Sequence, residues 1–341
     1  MYGCSCKDIF FFVTLQNVYS HIIMRVSAIY KGIIFLFFTL LSHFPATGQV
    51  QTARLLHKES ALCGEGAIWN PFSSTLLWVD IDGQRLFEWD PATKQNREWK
   101  FEKKISTVVP ETPETVVFTL ADEIVRFNIK SGQREQLTAI DTDGGAIRFN
   151  DGKCDPIGRL WAGTMVMQGP RGGGALYRLD SRGLVPIVTG VTCSNGIVWT
   201  KDKRTMYYID TPTREIVAYD FNSKTGEISN RRVAVTVPDG MGWPDGMAID
   251  KNDMLWVAHW NGGGVYNWDP KTGQLIGKIG VPAPNVTSCS WGGEDMDTLF
   301  ITTARNGMNE ELLKKYPLSG SLLYCRPGSK GVKTNLFKWG K

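Results

Sequence analysis

Short apolar runs rich in aromatic side chains recur along the chain, and each follows a segment of small and polar residues. Residues 76–80 follow residues 65–70 in this way, and residues 160–163 follow residues 150–155. Aromatic and β-branched residues favour strands, whereas Gly, Asn and Asp favour tight turns. The pattern therefore predicts an all-β protein that is built from many short strands.

The polar residue that leads each apolar run recurs at a nearly constant interval. Successive leads are 41, 44, 45, 50 and 43 residues apart. The six lead residues are Glu65, Ser106, Asn150, Asn195, Asp245 and Ser288. A repeat of this length that contains only strands is typical of a four-stranded propeller blade. The sequence predicts a six-bladed β-propeller with four-stranded antiparallel blades.

Two other all-β architectures are alternatives to this propeller. A β-sandwich with coincidental spacing is the alternative, and a WD40 propeller is disfavoured because no Gly-His and Trp-Asp signature recurs. The segment 50–57 precedes the first repeat, so we expect it to complete the last blade. Closure between the two ends of the repeat would leave the ring without free sheet edges.

An apolar stretch near the N-terminus does not fit the repeat. Residues 32–44 are apolar, follow the basic Arg25 and precede the small residues of Pro-Ala-Thr-Gly. This order is typical of a secretory signal peptide, and the stretch is too short for an ordinary membrane span. We expect a signal peptide region at 1–48, with Met24 as the true start, and the propeller at 49–341. Export to the periplasm or the medium follows; an uncleaved membrane anchor is the alternative.

Composition and charge narrow the function further. Glycine and tryptophan are abundant, with 36 and 12 of 341 residues, as repeated turns and strands require. The formal net charge is only +4, and half of it lies in the predicted leader, which disfavours nucleic-acid binding. Only four histidines occur and no Gly-x-Ser-x-Gly motif is present, which disfavours a Ser-His-Asp hydrolase. We expect His259, on a predicted strand, to be packed or hydrogen-bonded.

Four of the six lead residues carry a carboxylate or a carboxamide, namely Glu65, Asn150, Asn195 and Asp245. The innermost strands of a propeller line its channel, so these side chains are expected to meet at one end of it. Such oxygen donors are typical of Ca²⁺, Mg²⁺ and Mn²⁺ sites. Each residue could singly be a turn former, since Asn-Gly and Asp-Gly are common in turns. Because all four residues occupy the same position in the repeat, a central metal site is favoured.

A second pair of polar residues lies close to this set. Arg148 precedes Asn150 by two positions, which places both side chains on the same face of an extended strand. Both could donate hydrogen bonds to a hydroxylated ligand at the mouth of the channel. An ordinary solvated arginine is the alternative interpretation of Arg148.

Several short motifs resemble those of the regucalcin/gluconolactonase (senescence marker protein) family, over about residues 52–340. They are Gly-Glu-Gly at 64–66, Arg-Phe-Asn-Asp-Gly-Lys at 148–153, Ser-Asn-Gly at 194–196, Pro-Asp-Gly-Met at 244–247, Asn-Gly-Gly at 261–263, Thr-Ser-Cys at 287–289 and Thr-Ala-Arg-Asn-Gly-Met at 303–308. The resemblance implies a six-bladed propeller that hydrolyses sugar lactones to aldonic acids. The implied enzyme is a hydrolase of carboxylic ester bonds, with gluconolactonase as the expected activity.

The same resemblance implies roles for individual residues. It implies one divalent cation on Glu65, Asn195 and Asp245, with Ca²⁺ expected and Zn²⁺, Mg²⁺ or Mn²⁺ as alternatives. It implies substrate contacts from Arg148 and Asn150. By analogy, Asp245 is also the expected general base, which takes a proton from the attacking water.

One position departs from the resemblance, and two alternative functions stay open. Some members of the family place a substrate-binding Glu where this chain has Gln168, so the identity of the lactone is not fixed. The alternatives are a related metal-dependent esterase or phosphotriesterase, and a calcium-binding propeller without catalysis. The expected partner is a small sugar lactone, and no membrane span is expected after cleavage of the leader.

Overall fold

The computed structural model describes residues 51–338. These residues form six β-sheets that are arranged as the blades of an all-β propeller. The predicted fold class and the four-stranded antiparallel blades are confirmed. The predicted leader, residues 1–48, lies outside the described residues, and so does its boundary with the propeller. Within residues 51–338, no helix is long and apolar enough to cross a membrane.

Each blade has four antiparallel strands, ordered from the ring axis outward, and blade 5 carries a short fifth strand at its outer edge. The inner strands of blades 1 to 6, which contact one another around the axis, are Gly64–Asn70, Ile105–Pro110, Ile147–Cys154, Ser194–Trp199, Trp243–Ile249 and Val286–Gly292. The second strands are Thr75–Asp80, Thr115–Leu120, Leu160–Val166, Thr205–Asp210, Leu255–Trp260 and Thr298–Thr303. The third strands are Arg85–Asp90, Glu123–Asn128, Gly174–Asp180, Glu215–Asn222, Gly264–Asp269 and Leu322–Cys325. The outer strands are Gln95–Lys100, Arg134–Ala139, Gly183–Val191, Glu227–Thr236, Gln274–Gly280 and Arg54–His57. A 3₁₀ turn, Thr211–Thr213, and a short α-helix, Glu310–Lys315, complete the elements.

The ring closes through strands from the start of the described chain. Arg54–His57 pairs antiparallel with Leu322–Cys325 and supplies the outer strand of blade 6, as predicted. The preceding Gln51–Thr52 differs from the prediction, because it pairs parallel with Gln274–Gly280 at the edge of blade 5. Between them, the buried Ala53 is where the chain crosses from the sheet of blade 5 to that of blade 6. The N-terminal segment therefore joins blades 5 and 6 at the point of closure.

Burial falls from the axis outward, which explains the hydrophobic pattern of the sequence. Every residue of Gly64–Asn70 is buried, whereas the outer strand of the same blade, Gln95–Lys100, is largely exposed. Inner strands are covered on both faces by neighbouring blades, so even their polar residues, such as Glu65 and Asn70, are buried. Aromatic pairs fill the space between blades; Trp69 of blade 1 stacks on Phe300 of blade 6 with ring centroids 5.6 Å apart.

The C-terminal segment, residues 326–338, crosses one end of the channel. The side-chain amide of Asn335 donates to the carbonyl of Cys154 at 3.0 Å. The Phe337 N–H donates to the carbonyl of Pro110 at 2.8 Å, and the Phe337 ring is buried. A cavity of about 80 Å³, lined in part by Thr334 and Asn335, lies at this end. It is too small for a ligand the size of a sugar, so the opposite end of the channel is the more open one.

His259 holds the segment that leads into the inner strand of blade 5. Its buried ring stacks on Tyr266 with centroids 4.0 Å apart, and its Nδ1 lies 2.7 Å from the carbonyl oxygen of Met241. Because a carbonyl only accepts, Nδ1 carries the proton and donates it, which fixes the tautomer. Burial, together with the charges of Lys278 and Arg214, lowers the pKa of His259 to about 4. The expected packed role of His259 is confirmed.

The neutral state of His259 makes the fold sensitive to acid. Its pKa is 6.5 in an unfolded chain and about 4 in the folded protein, so the unfolded state binds the proton more readily. The resulting stability is complete above pH 6.5 and is lost as the pH falls toward 4; it amounts to at most about 3 kcal/mol. The variant His259→Asn keeps a donor for Met241 and does not titrate. We expect its Tm, measured by calorimetry across this range, to depend less on pH; equal slopes for both proteins would contradict the prediction.

Candidate functional site

All six inner strands carry a β-bulge close to the position of the lead residue. The pairing register with the second strand shifts between Glu65 and Ile68, Ile105 and Thr107, Phe149 and Gly152, Asn195 and Ile197, Pro244 and Met247, and Val286 and Ser288. A bulge leaves a residue outside the ladder and redirects its side chain. Because the bulge recurs in every blade, the lead residues share a level along the ring axis.

The open end of the channel leads to a cavity of about 470 Å³. The five residues predicted for the site all line this cavity, namely Glu65, Arg148, Asn150, Asn195 and Asp245. The two remaining lead residues, Ser106 and Ser288, are absent from its described lining. Ser106 instead shares a hydrogen bond of 2.9 Å with Thr119 inside blade 2. The structure thus brings the acidic and amide lead residues together with Arg148 and leaves the serines out.

Glu65 and Asp245 form the acidic part of the site. They reach the cavity from blades 1 and 5 and are only 7% and 6% exposed. Burial, and then the charge of Asp151, raises the pKa of Glu65 to about 8. Burial, followed by the charges of Glu65 and Asp151, raises the pKa of Asp245 well above its usual range. Carboxylates in this arrangement need a proton or a cation between them.

Asn195 and Asn150 are held in fixed orientations by hydrogen bonds. The Nδ2 of Asn195 donates to the hydroxyl of Thr211 at 2.7 Å, so its Oδ1 points the other way. The Nδ2 of Asn150 donates to that Oδ1 at 3.1 Å and to the carbonyl of Ser194 at 2.9 Å. An amide oxygen has two lone pairs, so Asn195 Oδ1 keeps one for a further partner. The Oδ1 of Asn195 is therefore oriented so that its free lone pair is available as a metal ligand in the cavity.

Arg148 forms a polar wall of the cavity together with Asn150. Its Nη1 donates to Asn150 Oδ1 at 2.9 Å and to the Phe149 carbonyl at 2.7 Å, so the two side chains share a face as their spacing predicts. Burial lowers the pKa of Arg148, although a guanidinium stays charged. Its buried Nε has no hydrogen-bond partner among the described residues. An unpaired buried donor costs about 1–3 kcal/mol, so a ligand that accepts this hydrogen bond gains affinity.

Asp151 is a buried carboxylate near the site that could not be predicted from the repeat. Its Oδ1 accepts the N–H of Gly152 at 2.7 Å, whereas its Oδ2 has no partner among residues 51–338. Its charge contributes to the raised pKa of both Glu65 and Asp245. Asp151 follows a lead residue directly, and only the bulge explains why neighbours in sequence both face the interior.

Other residues of the cavity also went unpredicted. Cys63 and Cys193 precede Glu65 and Asn195 by two positions, so the alternation of side chains along a strand could have placed them there. Asp82, Arg171 and Asn306 come from turns and loops that carry no repeated signal. Trp243 and Trp260 lie at the ends of two paired strands of blade 5. Together these residues add aromatic and charged groups to the lining of the cavity.

Gln168, where the chain departs from the family resemblance, faces a different space. It lines a second cavity of about 480 Å³, together with Lys103, Lys104 and Met167. Arg148 lines both cavities. Gln168 is therefore not part of the described lining around Glu65 and Asp245, although it lies on the other side of the same arginine.

The residues of the site suit a hard cation. In the described part of the chain, no group of three or more His, Cys, Asp and Glu side chains is arranged to hold a metal, so the predicted central metal site is not shown directly. The candidate donors are the carboxylates of Glu65 and Asp245 and the amide oxygen of Asn195, which line one cavity. Burial raises the pKa of both carboxylates and neighbouring negative charges raise it further, so a bound cation would stabilise their ionised form. Oxygen donors of this kind are those that Ca²⁺ prefers.

Known proteins resemble this chain over most of its length. The family described as "SMP-30/Gluconolactonase/LRE-like region" matches residues 63–305. The chain is 40% identical over 263 residues to the Bacillus subtilis protein named "Putative sugar lactone lactonase YvrE", which covers 77% of this chain and 90% of that protein. It is 36% identical over 281 residues to human regucalcin, which covers 80% of this chain and 94% of regucalcin.

Solved structures agree with these sequence matches. A luciferin-regenerating enzyme superposes with a TM-score of 0.77 at 29% identity, over 84% of this chain and 99% of the enzyme. A regucalcin from Agrobacterium tumefaciens superposes with a TM-score of 0.80 at 24% identity, over 84% and 98% of the two chains, which shows a shared fold. The family match spans more than half of the sequence, and its relatives are well above 30% identical. The chain therefore belongs to the SMP-30/gluconolactonase/LRE-like family.

Proposed function

We propose that this protein hydrolyses sugar lactones to aldonic acids with the help of a divalent cation, as a gluconolactonase does. One observation carries the proposal: the buried pair Glu65 and Asp245 shares a single cavity with the oriented amide of Asn195 and with Arg148 and Asn150. The family description and the name of the Bacillus subtilis relative support lactones as the class of substrate.

Glu65, Asn195 and Asp245 are the residues that we assign to the cation. Three oxygen donors favour Ca²⁺, with Mg²⁺ and Mn²⁺ as alternatives, over Zn²⁺, which prefers His and Cys. When bound, such a cation polarises the lactone carbonyl and stabilises the negative charge that develops on its oxygen. The unused lone pair of Asn195 Oδ1 and the repulsion between the carboxylates both favour its binding.

Asp245 is the proposed general base. Its carboxylate takes a proton from a water molecule while the water oxygen bonds to the carbonyl carbon of the lactone. The ring C–O bond then breaks, and the proton passes to the departing ring oxygen, which gives the open-chain aldonic acid. A carboxylate that is removed from water is a stronger base than an exposed one, and Asp245 is only 6% exposed.

Arg148 and Asn150 are proposed to orient the hydroxyl groups of the sugar. The free Nε of Arg148 donates to an oxygen of the substrate, while Nη1 stays bonded to Asn150 and to the backbone. This anchoring fixes the guanidinium before the substrate arrives. A donor that is already oriented loses little entropy on binding, which favours a productive geometry.

A pH-indicator assay with aldonolactones tests the proposed activity directly. We expect turnover above the spontaneous rate, its loss when a chelator is added, and its recovery when Ca²⁺, Mg²⁺ or Mn²⁺ is restored. Aryl esters and phosphotriesters in parallel assays separate a lactonase from the related esterase. Stabilisation by Ca²⁺ without turnover of any of these compounds would overturn the proposal and would indicate a calcium-binding propeller.

The variants Glu65→Gln and Asp245→Asn should affect activity and stability in opposite directions. Each removes a carboxylate on which the cation and the proton transfer depend, so we expect kcat/KM to fall at least about 100-fold. Each also removes a repulsive charge, so at pH 8 and with a chelator Tm should rise by about 2 °C. The rise in Tm on addition of Ca²⁺ should disappear. Lactone assays and calorimetry measure the two effects.

Glu88→Gln is the matched control, because Glu88 is a buried carboxylate of blade 1 that bonds to Thr75 outside the cavity. We expect this control to keep its activity and its response to Ca²⁺. Normal kcat/KM in either Glu65→Gln or Asp245→Asn would contradict the assignment of that residue.

Arg148→Gln should separate binding of the substrate from binding of the cation. It removes the donors aimed at the substrate and leaves the three candidate cation ligands in place. We expect KM for an aldonolactone to rise about 10-fold or more, while the rise in Tm caused by Ca²⁺ persists. Loss of that rise would show instead that Arg148 supports the cation site.

A further inference from the structure

Arg171 is a charged residue of the cavity that the proposed mechanism does not use. It lies on the loop between the second and third strands of blade 3, is exposed, and lines the cavity of Glu65 and Asp245. Within residues 51–338 its side chain has no hydrogen bond and no ion pair. The other arginine of the cavity, Arg148, is bonded to Asn150. Arg171 is therefore an unpaired cation at the rim.

The backbone around Arg171 is fixed although its side chain is free. The N–H of Gln168 donates to the carbonyl of Ala146 at 3.2 Å, and the N–H of Gly172 donates to the hydroxyl of Thr192 at 3.0 Å. Gly172 has a φ of 83°, which other residues rarely adopt, so glycine is what allows the loop to turn beside Arg171. The two tethers hold the arginine at the rim of the cavity.

The chemistry of a guanidinium narrows what Arg171 can bind. It has five N–H donors in a planar fork and no acceptor, so its best partner is a group that only accepts hydrogen bonds. Carboxylate and phosphate are such groups, and both match the fork with paired hydrogen bonds. A single sugar hydroxyl has one oxygen, so it cannot accept the paired, parallel hydrogen bonds that the fork offers.

The electrostatics of the cavity permit an anionic ligand once a cation is bound. Its charged lining residues are Glu65, Asp82, Arg148, Arg171 and Asp245, with a net charge of −1. A divalent cation changes the sign of this sum. The reacting carbonyl belongs at the buried Asp245, whereas Arg171 lies at the exposed rim, so the anionic group must sit at the far end of the ligand.

We propose that Arg171 recognises an anionic group at the end of the substrate remote from the lactone carbonyl. The preferred substrates are then aldonolactones that carry a terminal carboxylate or phosphate. This inference rests on the proposed lactonase function and deepens it, because it names the substrate class and the residue that selects it.

The test compares kcat/KM for three probes: glucono-1,5-lactone, a glucaric acid lactone with a free carboxylate, and glucono-1,5-lactone 6-phosphate. The wild type is expected to prefer at least one anionic probe, and NaCl should weaken this preference by screening the charge. In Arg171→Gln the ratio of anionic to neutral kcat/KM should fall about 10-fold, mainly through KM. Arg171→Lys should retain part of the preference. If the ratio falls more for the glucaric acid lactone, the group recognised is a carboxylate; if it falls more for the 6-phosphate, the group is a phosphate.

Arg182→Gln is the matched control for charge, because Arg182 is an exposed arginine of the same blade in the turn at the other end of the third strand. It should leave the ratio unchanged. An unchanged ratio in Arg171→Gln, or an equal fall in Arg182→Gln, would overturn this inference. Hydrolysis of the neutral lactone by the same protein would still support the proposed function. Failure of the wild type to hydrolyse any of the three probes would overturn both.

Discussion

Burial of the carboxylates of Glu65 and Asp245 in one cavity is the constraint on which the site depends. The two carboxylates belong to blades 1 and 5, and closure of the ring brings them into one cavity where both are buried. Nothing in either blade alone favours this arrangement; the packing of the inner strands around the axis imposes it. A cation between them would remove the repulsion, so affinity for the ion becomes a property of the closed ring and is coupled to folding.

The recurring β-bulge explains how six equivalent blades produce an asymmetric site. Every blade offers a bulged position near the open end of the channel, and the residue type at that position decides its use. Glu65 and Asp245 place carboxylates in the cavity and Asn195 places an oriented amide there, while Ser106 bonds to Thr119 and is not among the lining residues. The fold therefore provides positions, and the chemistry resides in the side chains placed on them.

More of this structure can be predicted from the sequence than is usual, because the same pattern of residues recurs in every blade. The number of blades follows from the local pattern of residues. Glu65 and Asp245 are predicted to meet because residues at the same position in each repeat lie at the same level along the axis of the closed ring. Asp151 escaped prediction, since its orientation depends on a bulge that no residue type marks. The parallel pairing of Gln51–Thr52 depends on which sheet edge lies nearest after closure. Arg171 lies on an irregular loop outside the period, where spacing carries no information.

The strand Arg54–His57 also determines the order in which the molecule can fold. Its residue Arg54 pairs with Tyr324, which is synthesised 270 residues later. Blades 1 to 5 can form their four strands from consecutive segments, but Arg54–His57 must wait until the rest of blade 6 has been synthesised, and such long-range pairing is slow. Until then the nascent chain is an open arc with exposed sheet edges, the form most prone to aggregation. Changes in this strand would lower the yield of folded protein through that intermediate, even where the finished ring tolerates them.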